Sequence, residues 1–445
     1  KGMDPCQKHI LETSYEALFA AGYTKKALMS NYIAVYTGCT NPEWNYIDRE
    51  AGACSGTGSS QAITSNRTSF SLGMMGPSSS VDCEMCSSSV ALMVGAAAVA
   101  TTNSRRTESG GNCPAAVVGG VYYSFTPFMW PRFNAWMNPK GRCFTFDETA
   151  NGYVRGESCI SVCLKPFAEK VDGQLVIPDV PTLGCMNGWR MVNNGRAASM
   201  TTPHGPAIQE CLHDAVKDSC ISMLDVDGVE CHGSGGLLDD SIEVSALASV
   251  LRGMKGGENE TLVLGSLKAN TAAQCEACGI ASFIKVLYNI AFACNAPCIN
   301  LKSLNPHIEF GTGAVLIPTE AVAYRARSVF HGVSSRGLGG TLVNLVVWYT
   351  ADGNKVEMER PARAWSNVSY WPGGGGMLEP GCRPAQGYYL VGSFSEWEEV
   401  EEMQKAEEGV YVGTVVLGVN GYETFQIWLD GESDRILHPA APMAP

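Results

Sequence analysis

The segment Gly76-Pro77-Ser78-Ser79-Ser80-Val81-Asp82-Cys83-Glu84-Met85-Cys86-Ser87-Ser88-Ser89-Val90-Ala91-Leu92 holds the residues best suited to chemistry. It reads as an extended stretch, a sharp turn carrying thiols, and a helix of small and apolar residues. That is the layout of a nucleophile elbow. A thiol at a helix N-terminus meets the positive end of the dipole and free backbone N–H groups, and both favour thiolate. A free Cys, with a pKa of about 8.5, is only a few per cent ionised at neutral pH, so this placement matters. The second candidate is His232, in Val229-Glu230-Cys231-His232-Gly233-Ser234-Gly235, where an apolar and acidic strand runs into a glycine turn. An imidazole there suits proton transfer or stabilisation of an oxyanion. The competing reading is a structural His, and the surrounding motif weighs against it.

The elements that must position these groups alternate. Residues 8–22 read as an amphipathic helix stopped by Gly22, Asn31 to Tyr36 as a buried strand, and Val90 to Ala100 as a helix. Ala115 to Tyr123 and Cys159 to Leu164 read as strands. Ala207 to Lys217, Ile242 to Leu251 and Cys278 to Cys294 then read as helices, and Thr341 to Tyr349 as a strand. Near-continuous apolar strands between helices indicate α/β layers covered on both faces. The pattern occurs twice, which suggests an internal duplication without a residue-level repeat. Glu359 to Gly381, with three Pro and the run Gly373 to Gly376, reads as a linker. Short alternating segments follow at 388–392, 410–417 and 424–429, with Asn420-Gly421 as a hairpin turn between the last two.

Composition narrows the function. The 445 residues are 45% apolar and 17% charged, with a net charge of -13 and no basic run. This argues against nucleic acid and anionic membrane partners. No apolar run reaches the length of about 20 residues that spans a bilayer. The 18 Cys are scattered through apolar segments, which points to reduced thiols and an intracellular location, cytoplasmic or organellar.

Seven segments, in order, resemble the β-ketoacyl synthase (ketosynthase) family. They are Met3-Asp4-Pro5-Cys6-Gln7, the thiol turn itself, and Gly141-Arg142-Cys143 through Gly152-Tyr153-Val154-Arg155-Gly156-Glu157. Next come Asn194 to Pro206 and Val229 to Gly235, the latter with Asp240 and Ile242-Glu243-Val244 behind it. Gly265-Ser266-Leu267-Lys268-Ala269-Asn270 and Gly332-Val333-Ser334-Ser335 to Thr341 complete the set. The resemblance implies an α/β thiolase-like layered fold of two similar halves, 1–170 and 171–355. A linker would cover 356–385 and a small β-sandwich-like domain 386–445. With Asn305-Pro306-His307 and the added domain, the flavour is similar to protist (algal) type I polyketide synthases. The first half would lack its opening strand, which the resemblance places inside the sheet. Residues 1–355 alone are therefore expected to be poorly soluble.

The resemblance also implies a reaction: decarboxylative Claisen condensation through an acyl-thioester on Cys86, assisted by His232, with Lys268 in the site. No cofactor is implied, because acyl substrates arrive on the phosphopantetheine of an acyl carrier protein. A homodimer is the expected assembly. The register of the nucleophile is open. Matching the family's Cys-Ser-Ser-Ser places Cys86 at the elbow, and counting without gaps from Arg67 to Leu92 places Met85 there, which cannot form a thioester. The same ungapped count puts Ala273 where the family has its second His, with Gln274 one residue on. Arg336 and Leu338 stand where the family has Phe, and Leu342 where it has Asn. These departures favour two alternatives: a non-condensing module that binds acyl chains and carriers or dimerises, or an acyl transferase without decarboxylation. Cys83, Cys86, Cys275 and Cys278 lie in the two loops that meet at the family's site. Four thiolates there would suit zinc, but filling of small apolar positions is the favoured reading. The C-terminal segment Val391 to Trp397 resembles starch- or glycogen-binding β modules, with Trp397 and Trp428 as candidate sugar-stacking residues.

Overall fold

The computed structural model describes residues 2–40, 43–47, 52, 55–100, 113–171, 174–177, 182–311, 313–324, 327–351, 384–395, 397–407, 410–416 and 423–437. The chain divides into two units, Lys1–Val356 and Glu357–Pro445.

Two sheets of one plan build the first unit. The first half runs α1 (Pro5–Ala20), β1 (Ala34–Gly38), α2 (Ala62–Leu72), β2 (Ser78–Val81), α3 (Ser87–Val99), β3 (Ala116–Tyr122) and β4 (Ser158–Leu164). The second runs β5 (Cys185–Asn193), α4 (Gly205–Asp218), β6 (Val226–Glu230), α5 (Leu237–Arg252), β7 (Leu262–Gly265), α6 (Cys278–Ala291), β8 (Val315–Leu316), β9 (Ser328–Arg336) and β10 (Thr341–Thr350). Their strand orders are β2-β1-β3-β4 and β8-β7-β6-β9-β10-β5. In the first, β1 pairs parallel with both neighbours and β4 turns back antiparallel; in the second, β7 and β6 each pair parallel with both neighbours and β10 turns back antiparallel to β9. The duplication expected from the sequence is thus a repeat of topology.

That repeat corrects one expectation. β5 fills the second sheet's edge, antiparallel to β10. The matching place in the first half lies outside β4, at an edge rather than inside the sheet. β4 is half-buried along its whole length, whereas most of β10 is buried.

α3 and α6 pack against each other and against both sheets. A helix covered on every side needs apolar or small residues all round, and α3 (SSSVALMVGAAAV) has them. Contact between the two helices depends on Gly279: a Cβ there would stand 1.9 Å from the Ser89 hydroxyl oxygen. α1 and α2 cover the first sheet from outside, and α4 and α5 cover the second.

Several boundaries differ from the sequence reading. α1 ends at Ala20, and Gly22 follows in the left-handed region at φ 90°. β1 starts at Ala34, because Ser30 at φ 60° bends the chain before it. α5 starts five residues early, at Leu237, with Asp239 and Asp240 in its positively polarised first turn. α6 stops at Ala291, and Ala293 at φ 51° turns the chain away.

The second unit holds an antiparallel sheet of Glu401–Glu402, Tyr388–Gly392, Phe425–Leu429 and Glu432–Leu437. The expected pairing across Asn420-Gly421 is corrected. Val410–Val412 pairs with Gln404–Glu407, and Phe425–Leu429 pairs with Tyr388–Gly392 and Glu432–Leu437. Its tight turn is Asp430-Gly431, both at positive φ. Asn420, Gly421 and the Glu359–Gly381 linker lie outside the described residues.

Candidate active site

β6 is an interior strand, and its C-terminal end delivers Cys231 and His232 into the unit. Glu243 of α5 fixes the turn that follows. Its carboxylate accepts the N–H of His232 at 2.7 Å, the N–H of Gly233 at 2.8 Å and the Ser334 hydroxyl at 2.9 Å. Gly233 adopts φ 49°, and a Cβ there would lie 2.4 Å from the Ser266 hydroxyl oxygen. Only glycine fits both requirements.

The His232 ring is held from one side. Its Nδ1 accepts the backbone N–H of Arg336 at 3.2 Å and lies 3.4 Å from Lys268 Nζ. The Lys268 ammonium also donates to the His232 carbonyl at 2.5 Å. An accepting Nδ1 leaves the proton of the neutral ring on Nε2. Burial, then the charges of Lys268 and Arg336, hold the imidazole pKa well below its ordinary value. At neutral pH the ring is therefore an uncharged Nε2–H donor, suited to an oxyanion and poorly suited to act as a base. His232 lines a small cavity with Asp239, Ser334, Arg336 and Leu342. Arg336 reaches Asp239 at 2.8 Å, an ion pair across the cavity wall.

The thiol turn lies between β2 and α3. Glu84 takes φ 55°, and the 3-10 turn Glu84–Cys86 leads into the helix. Cys86 is fully buried in the core between the sheets, with Ala34, Val90, Ile280 and Val333 in the same cluster. Its Sγ lies 3.0 Å from the Cys83 carbonyl oxygen. The neighbouring Cys83 thiol, then burial, push its pKa far up. Met85 points elsewhere. It shares an apolar cluster with Cys143, Tyr153, Ala273 and Cys278, and Ala273 is fully buried. The two residues that the ungapped count sets at the nucleophile and second-His positions are thus packed in one cluster. Gln274 stands outside that cluster and donates to the Thr271 hydroxyl at 2.9 Å.

Three carboxylates escaped the sequence reading as site-builders. Glu84 accepts the N–H of Leu338 at 2.8 Å and so ties the thiol turn to the Gly-rich loop. Glu43 pairs with Arg155 at 3.5 Å under nearly complete burial. Glu276 accepts the Thr40 hydroxyl at 2.5 Å, and burial raises its pKa to about 7. Each partner lies far along the chain, so no local spacing announces it. Among the described residues, no group of three or more His, Cys, Asp or Glu could hold a metal ion. No helix among them is long and apolar enough to cross a membrane.

Comparison with known proteins adds lineage to this geometry. The family model for the β-ketoacyl synthase N-terminal domain matches residues 1–170, and that for the C-terminal domain matches residues 183–302. The chain is 32% identical over 356 residues to a phenolphthiocerol/phthiocerol polyketide synthase component of Mycobacterium tuberculosis, covering 78% of this chain and 22% of that protein. It is 32% identical over 357 residues to another component of the phenolphthiocerol/phthiocerol polyketide synthase, from Mycobacterium bovis, covering 78% and 18%. The chain thus spans about a fifth of the length of these curated relatives. Among solved structures, the ketosynthase from module 6 of the bacillaene synthase from Bacillus subtilis 168 matches with a TM-score of 0.67 and 26% identity, covering 78% of this chain and 59% of that one. Ketosynthase twelve from the bacillaene polyketide synthase in Bacillus amyloliquefaciens matches in fold, with a TM-score of 0.66, 24% identity and coverage of 78% and 60%.

Proposed function

Because the chain belongs to the β-ketoacyl synthase family and has the thiolase-like ketosynthase fold, we propose that it serves polyketide assembly as a non-condensing module, one that holds carrier-bound acyl chains without extending them. One observation carries this reading: Met85 and Ala273, which the ungapped count sets at the nucleophile and second-His positions, belong to one buried apolar cluster. A thioether has no dissociable proton and forms no thioester. What persists is a neutral His232 with a free Nε2–H, able to hydrogen-bond an acyl carbonyl, and Lys268 holding that ring in place. The partners this reading calls for are an acyl carrier protein and a second copy of the chain.

The rival reading keeps Cys86 as the acyl carrier for transfer without decarboxylation. Its buried sulfur and raised pKa weigh against it. Incubation with an acyl-pantetheine thioester, followed by peptide mass analysis, separates the two. The proposal expects no acyl group on Cys86 in the native chain and an acyl group on the new thiol of Met85→Cys. Acylation of Cys86 overturns it.

For the second unit, carbohydrate binding is the finer proposal. It is supported by the exposed Trp397 and by Trp428, whose indole N–H is held by Gln426 at 3.0 Å. Quenching of tryptophan fluorescence by soluble amylose, absent in Trp397→Ala, tests it. An unchanged signal removes it.

A further inference from the structure

Cys83 and Cys86 form a built pair. The left-handed Glu84 and the following 3-10 turn fold the chain back, so the amide N–H of Cys86 faces the Cys83 carbonyl at 3.4 Å. The turn is locked by Ser87, whose hydroxyl accepts the Cys83 N–H at 2.9 Å and donates to the Glu84 carbonyl at 2.6 Å. The Cys86 thiol donates to the Cys83 carbonyl at 3.0 Å, which holds its sulfur over the turn that carries Cys83. Cys83 is half-buried and Cys86 fully buried. α3, a helix of 13 residues, begins at Ser87, and its N-cap offers no side-chain bond to the first amides. The Gly-rich loop lies over the pair: a Cβ at Gly337 would stand 2.4 Å from the Cys83 carbonyl oxygen and 3.0 Å from the Cys86 sulfur.

We propose that Cys83 and Cys86 are a thiol–disulfide exchange site for small-molecule disulfides, with Cys83 attacking and Cys86 resolving. A partly open thiol three positions before a buried one, in a turn at the start of a helix, divides those two roles between them. The neighbouring Cys86 lowers the Cys83 pKa against the opposing effect of burial, which favours the Cys83 thiolate.

The reaction balances. The Cys83 thiolate attacks one sulfur of the small disulfide; a mixed disulfide forms, the old S–S bond breaks, and the displaced thiolate takes a proton from water. The Cys86 sulfur then attacks the Cys83 sulfur, and its proton passes to the expelled sulfur, which departs as the second thiol. The two protein thiols have together lost two electrons, and the small disulfide has become two thiols. Gly337 packs against the Cys83 and Cys86 pair, and the neighbouring Leu338 amide is held by Glu84 of the same turn.

Trypsin releases residues 68–105 as one peptide, in which Cys83 and Cys86 are the two cysteines. The test treats the purified chain with oxidised glutathione and then blocks free thiols with iodoacetamide. The proposal expects this peptide to lose two hydrogens and escape blocking, while the buried Cys6 stays reduced. Below pH 7 the rate should fall about tenfold per pH unit. Cys86→Ala should trap glutathione on Cys83. If that substitution does not fold, the native chain alone decides. Two blocked thiols in peptide 68–105, under conditions that modify the exposed Cys220, overturn the proposal.

Discussion

Substituting both Met85 and Ala273 tests whether these two members of one buried cluster share one packed space. Met85→Cys removes two carbon groups from a side chain that is 6% exposed. At about 0.8 kcal/mol per buried methylene, plus a cavity contribution, the loss should be about 2 kcal/mol. Ala273→His adds an imidazole to a position with 0% exposure, walled by Met85, Tyr153, Cys143 and Cys278. Overpacking and a buried polar ring should cost about 3 kcal/mol or more. In the double variant the ring occupies the space that the Met terminus leaves. The combined loss should then fall short of the sum by about 1–2 kcal/mol, the coupling expected of residues in contact. Urea denaturation of the four proteins, followed by far-UV circular dichroism, gives the cycle. Additivity within about 0.5 kcal/mol would refute the shared cluster, and with it the argument for Met85 at the elbow.

Three further outcomes follow from named contacts. Glu276 is raised by burial from 4.5 to about 7, so the folded state holds its proton more tightly than the unfolded state does. Its contribution is full below about pH 4.5 and lost as pH rises through about 7, so Glu276→Gln should gain up to about 3 kcal/mol over the native chain at pH 8 and no such gain at pH 4, by urea denaturation. Glu84→Ala deletes the carboxylate acceptor of the Leu338 amide and keeps a side chain at positive φ. It should cost about 1–2 kcal/mol and speed hydrogen exchange at Leu338, with Glu84→Asn, which tolerates that φ better, costing less. Gly279→Ala would place a Cβ 1.9 Å from the Ser89 hydroxyl oxygen and 2.7 Å from the Ser89 nitrogen. A stability loss of about 3 kcal/mol on thermal unfolding is expected, and a loss below about 1 kcal/mol would show that α3 and α6 can part without cost.

Much of the fold was legible because buried strands announce themselves. Val117, Val118 and Val121 make β3 readable, as Val343, Leu345, Val346 and Val347 do for β10. His232 was singled out because the Val229 to Gly235 segment around it resembles a ketosynthase motif, and the fold buries it at the end of β6. The elbow register was not. α3 is small and apolar on every side, so hydrophobic periodicity cannot say which residue of Glu84-Met85-Cys86 faces which neighbour. In the fold Met85 joins a cluster with Ala273, which belongs to the other half of the sequence, and Cys86 joins a cluster with residues from the strands of both sheets. The Glu43–Arg155 and Glu230–Lys285 pairs were invisible for the same reason, since each joins segments with no common motif. The hairpin expected at Asn420-Gly421 failed because a strong turn dipeptide does not dictate which strands pair. Val410–Val412 found its partner upstream instead.

Condensation itself is the most direct measurement. The purified chain would be given an acyl-pantetheine thioester and a malonyl carrier protein, with carbon dioxide release and the β-ketoacyl product followed by mass analysis. A Met85–Ala273 site predicts neither above the level of carrier alone. A β-ketoacyl product that vanishes in Cys86→Ala would contradict the account and return Cys86 to the elbow.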